Sequence, residues 1–71
     1  MIDKKKIRAR MIELGLKNRD IARAWHCAIS TVSQKLNGVR PISLTEANIL
    51  AELLSLSELE YYTFLFAPKI A

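Results

Sequence analysis

The 71-residue chain has one cysteine, Cys27, and one histidine, His26. A disulfide within the chain is excluded, and with it the disulfide scaffolds of small secreted domains. His26 and Cys27 adjoin, and no other residues stand at metal-ligand spacing, so neither a structural zinc nor any other metal or cofactor is expected. A catalytic His–Cys pair is not expected either. Adjacent side chains point apart, and no third residue is placed to orient the imidazole. No apolar run approaches the roughly 20 residues of a membrane span. Lys4, Lys5 and Lys6 are followed by no long apolar region, so they do not read as a signal peptide. There is no internal repeat, low-complexity segment or linker, and no strand is expected. Acids are scarce in the first part of the chain, where residues 1–40 hold ten basic residues against Asp3, Glu13 and Asp20, a balance of +7. Residues 41–71 hold Lys69 against Glu46, Glu52, Glu58 and Glu60, a balance of −3.

Hydrophobic residues make up 51% of the chain, enough for one small domain with a single helical core. Five helices are predicted, at about 3–14, 18–25, 29–37, 44–54 and 58–66. In the first, Ile7, Met11 and Leu14 recur at helical spacing, and Gly15 suits a left-handed stop. In the fourth, Ser43 and Glu46 form a capping box ahead of Ile49, Leu50, Leu53 and Leu54. In the fifth, Ser57 and Glu60 do the same ahead of Leu59, Tyr62, Leu65 and Phe66. Pro41 blocks any helix from continuing through the loop before it.

Residues 18–38 organise the rest. Ile21, Ala22 and Trp25 make one apolar stripe, and Val32 and Leu36 make a second. His26 falls where the chain must turn sharply, and histidine enters the left-handed region more readily than most residues other than glycine. The second helix of this unit sets Ser30, Ser33, Gln34 and Asn37 opposite its apolar stripe. These are short hydrogen-bonding side chains with no acid among them, a face that suits a nucleic-acid groove. The basic balance of residues 1–40 points to an anionic partner, with nucleic acid the default and a merely solvated basic face the alternative. Trp25 continues the Ile21 stripe and reads as core rather than as a base-stacking platform.

This order of five short helices resembles the helix-turn-helix domain of phage Cro and repressor proteins, over about residues 3–66. The family's pattern maps without a gap onto Leu16, Lys17-Asn18, Ile21-Ala22, His26, Cys27, Ala28, Val32 and Asn37-Gly38. His26 stands where the family has glycine, and Ala28 stands where it has a capping hydroxyl. Met11 and Leu36 stand where many relatives pair an Arg with a Glu across the core. The resemblance implies an all-α, compact, lambda-repressor-like fold in a cytoplasmic protein of a bacterial or phage-infected cell. It implies a non-enzymatic transcriptional regulator that binds double-stranded operator DNA, with no small-molecule substrate.

By position, the resemblance makes Ile29, Ser30, Ser33 and Gln34 the base-contacting residues. Gln34 is the best reader, because its amide can bond adenine N6 and N7 together. Lys17, Asn18 and Arg19, at a helix N-terminus, and Lys35, Asn37 and Arg40, flanking the other side of the third helix, are the phosphate-contacting candidates. The run from Tyr61 to Phe66 carries more aromatic surface than one helix face can bury. Tyr61, Phe64, Phe66 and Ile70 are therefore candidates for an interface with a second copy or a partner repressor. The rival reading is an antirepressor, a protein-interaction module needing little DNA affinity of its own.

Overall fold

Asp3, Ser43 and Ser57 each accept a hydrogen bond from the backbone N–H three residues on, and each stands just before a helix. The computed structural model describes residues 2–65. It holds α1 (Lys4–Leu14), α2 (Asn18–Trp25), α3 (Ile29–Leu36), α4 (Leu44–Leu53) and α5 (Glu58–Leu65). No strand occurs among the described residues. Both expected capping boxes form, with Glu46 and Glu60 reaching back to the N–H groups of Ser43 and Ser57 at 3.0 Å. The expected spans differ from these only at their ends. Asp3 caps α1 from outside, Asn37 and Leu54 are C-caps, and Phe66 lies outside the described residues.

Four helices close in the same way. Gly15, His26, Gly38 and Ser55 all have positive φ. The residue after each donates its N–H five residues back: Leu16 to Met11, Cys27 to Ala22, Val39 to Gln34 and Leu56 to Ala51, at 2.8–3.0 Å. This is the Schellman closure, which satisfies carbonyls that a helix end otherwise leaves open. His26, at φ 55° and ψ 48°, therefore does the work of the turn glycine. A left-handed residue with a Cβ costs roughly 1–2 kcal/mol, partly offset by the chain entropy that glycine loses on folding. His26→Gly should accordingly raise stability by about 0.5–1 kcal/mol. Chemical denaturation checks this, and a loss of stability would mean that the imidazole makes a contact of its own.

The short turns bring the apolar stripes into one core. Ile7, Met11, Ile21, Ala22, Trp25, Val32, Leu36, Ala47, Leu50, Leu54 and Leu65 are buried together. Two expected stripes are corrected. Leu14 closes α1 on the solvent side, at 46% exposure, because the helix has turned past the core by its last residue. In α5 the inward residues are Leu65 with half-buried Tyr61 and Phe64, whereas Leu59 and Tyr62 point outward at 76% and 58% exposure. The bond from Asp3 N–H to the Phe64 carbonyl, at 2.6 Å, sets α5 beside the start of α1 with that face inward.

Candidate nucleic-acid interface

α2 packs against α3, and both helices turn their apolar stripes, with small Ala22 among them, to the core. On α3, Val32 and Leu36 are buried, while Ser30, Gln34 and Asn37 are exposed on the other side. Ser33 is half-buried and accepts from the Asn37 amide at 3.4 Å. Ile29, in the first turn of α3, is 54% exposed. Ala28 caps α3 with its carbonyl alone, which accepts from Thr31 and Val32. Ser30 lies within the helix and does not cap it.

The start of α2 has an unusual cap. Lys17 holds the N-cap position, and Asp20 accepts its backbone N–H at 2.8 Å. A lysine side chain has no acceptor, so nothing returns that bond. The N–H groups of Asn18 and Arg19 have no protein acceptor among the described residues. Two free N–H groups at a helix N-terminus, with exposed Lys17 and Arg19 beside them, form a surface suited to a phosphate.

Arg40 is exposed in the loop after α3. Lys35 is placed differently. Its ammonium pairs with Glu46 of α4 and lies 5.8 Å from the centre of the Trp25 ring, and its side chain is mostly covered. Trp25 in turn donates its indole N–H to the Glu46 carbonyl at 3.0 Å. Trp25, Lys35 and Glu46 thus tie α2, α3 and α4 together. Lys35 holds α3 in place rather than standing free on its surface.

Arg10 plays the matching part on the other side of the core. It donates to the Leu54 carbonyl at 2.9 Å, pairs with Glu60, and lies over the Phe64 ring. A cation at the carboxyl end of α4 also complements that helix's dipole. Arg10 belongs to no motif or stripe that the sequence displays. The signal was weak: an arginine one residue before the buried Met11, on a helix whose other cations face solvent.

Burial opposes ionisation of Glu46, but the Lys35 ammonium and the Ser43 N–H outweigh it and hold the carboxyl below its ordinary range. At Glu60 the Ser57 N–H is the largest influence; burial opposes it, and Arg10 adds to it, with the same net direction. Carboxyls depressed in the folded state contribute stability that is complete above the unfolded value, near 4.5, and is lost as pH falls through the lower folded values. The melting temperature should therefore hold from neutrality to about pH 5 and drop below that. Glu46→Gln and Glu60→Gln should each melt lower at neutral pH and show a shallower acid decline. A variant whose acid decline matches the parent's would show that its ion pair contributes nothing.

No family model, curated protein or solved structure matches the chain. The functional reading therefore rests on the residues themselves. Of the interface candidates, Tyr61 is half-buried and donates its hydroxyl to Asn48 at 2.6 Å, and Phe64 packs on the core. Phe66 and Ile70 lie outside the described residues. The apolar groups that α5 presents outward are Leu59 and Tyr62, because the helix is rotated from the expected register. No helix among the described residues is long and apolar enough to cross a membrane.

Proposed function

We propose that this chain is a sequence-specific DNA-binding transcriptional regulator with a Cro/repressor-type helix-turn-helix, formed by α2, the His26 turn and α3, and that α3 enters the major groove. The observation that carries this reading is how the charges divide. Asp3 caps α1, Asp20 accepts the Lys17 backbone N–H, Glu13 pairs with Arg10 at 3.5 Å, and Glu46 and Glu60 are held by Lys35 and Arg10. Lys4, Lys5, Arg8, Lys17, Arg19, Arg23 and Arg40 remain exposed without an ion pair among the described residues. The acids of residues 1–40 are each engaged by a bond or ion pair within the fold, while these cations stay exposed and Ser30 and Gln34 of α3 present a neutral, hydrogen-bonding surface.

Lys17→Ala, Arg19→Ala and Arg40→Ala should each weaken binding to every duplex about equally. Each should also reduce the slope of log affinity against log salt by about one. Lys35→Ala should act differently and lower the melting temperature, because it strands Glu46. Binding that does not change between low and moderate salt would overturn the reading. A second reading, docking on a partner repressor, draws on exposed Leu59 and Tyr62, and the same pair of residues would serve a homodimer on two half-sites.

A further inference from the structure

A groove of about 700 Å³ opens between the carboxyl end of α3, the loop into α4 and the carboxyl end of α5. Its floor is apolar, formed by Leu36, Ala47 and Leu65 of the core. Leu44, the first residue of α4 and 67% exposed, stands on its wall. Lys4 and Arg40 also line it, both exposed and without an ion pair among the described residues, and none of the described lining residues is acidic. A volume of this size lies within the range of pockets that enclose a ligand.

We propose that this groove docks a short segment of a partner protein that carries large apolar side chains flanked by carboxylates. The apolar side chains would cover the floor, and the carboxylates would meet Lys4 and Arg40. A duplex backbone satisfies the cations but has nothing to fill the floor, so charge and shape together favour the acidic, apolar peptide. This proposal does not depend on α3 binding DNA.

The test uses the full chain and a labelled peptide alternating Leu or Phe with Asp and Glu, read by fluorescence anisotropy. Saturable binding is expected, and it should be at least about tenfold weaker for a control peptide with Lys in place of the acids. Arg40→Glu and Leu44→Glu should each weaken binding about tenfold or more. An acid at the first position of α4 suits the helix dipole, so Leu44→Glu should fold normally, which a thermal melt checks. Ile12→Gln, on the exposed side of α1 and outside the groove's lining, should leave peptide binding unchanged.

No binding, or binding that survives both groove variants, would overturn the proposal. So would binding lost through Leu59→Glu alone, which would place the peptide on the outer face of α5 instead of in the groove. If sedimentation shows self-association that Arg40→Glu and Leu44→Glu both abolish, the occupant is a second copy instead. If Leu44→Glu weakens duplex binding while the peptide never binds, the groove belongs to a nucleic-acid face.

Discussion

Replacing Leu36 by glutamate should cost roughly 3–5 kcal/mol of folding stability. Leu36 is 8% exposed and Met11 is 7%, and the two line a small common cavity between α1 and α3. Losing the leucine removes apolar burial from the core, and the carboxylate adds the cost of an uncompensated charge. Lys4 and Arg8 stand at the edge of that cavity, but both are exposed and would have to leave water to reach inward. Adding Met11→Arg should recover about 2 kcal/mol or more, since the second change supplies the missing partner. The double variant should still not exceed the parent, because an apolar contact is often as good as a buried ion pair or better. Denaturant titration of the parent, both single variants and the double variant closes the cycle. A Leu36→Glu protein within about 1 kcal/mol of the parent would mean that α3 does not turn Leu36 into the core under α1.

Much of the fold was legible because its punctuation is local. A capping serine with a glutamate three residues on, or a glycine closing an apolar stripe, is settled within one helical turn. The helix starts at Ser43 and Ser57 and the stops at Gly15 and Gly38 follow from such signals. Ser55 was harder to read. It takes the same left-handed closing position without the residue type that announces it, because the closing bonds and the packing of Leu56 offset its strain. The rotation of α5 was not legible, since six consecutive residues from Tyr61 to Phe66 offer almost every face an apolar or aromatic group. Long-range contacts decided it: the Phe64 carbonyl accepts from Asp3, and Glu60 meets Arg10. Lys35 shows the same limit. Its place beside Leu36 allowed either a free cation or a core tie, and only the arrival of Glu46 from α4 distinguishes them.

Replacing Gln34 by alanine should leave folding intact and weaken binding to the cognate operator by roughly 1–3 kcal/mol, with nonspecific affinity almost unchanged. The separation follows from what Gln34 does in the fold. Its backbone carbonyl accepts from Val39 and Arg40 and so helps to close α3, and alanine keeps that carbonyl. Its side chain is exposed, makes no hydrogen bond within the described residues, and lies opposite buried Val32 and Leu36. Alanine is also the better helix former, so the melting temperature should hold or rise slightly. Any loss of affinity then reports on the missing amide rather than on a damaged helix. Leu59→Ala is the companion variant, because Leu59 is the most exposed leucine on α5 and lies away from this face. A DNA regulator should lose operator preference through Gln34 and little through Leu59, apart from any effect on dimer assembly. A module acting through a partner repressor should show the reverse, with partner affinity falling for Leu59→Ala and no operator preference for Gln34→Ala to remove. Measuring operator, random duplex and partner affinity for both proteins gives each reading a different pattern. Unchanged operator preference in a well-folded Gln34→Ala protein would remove α3 from the groove.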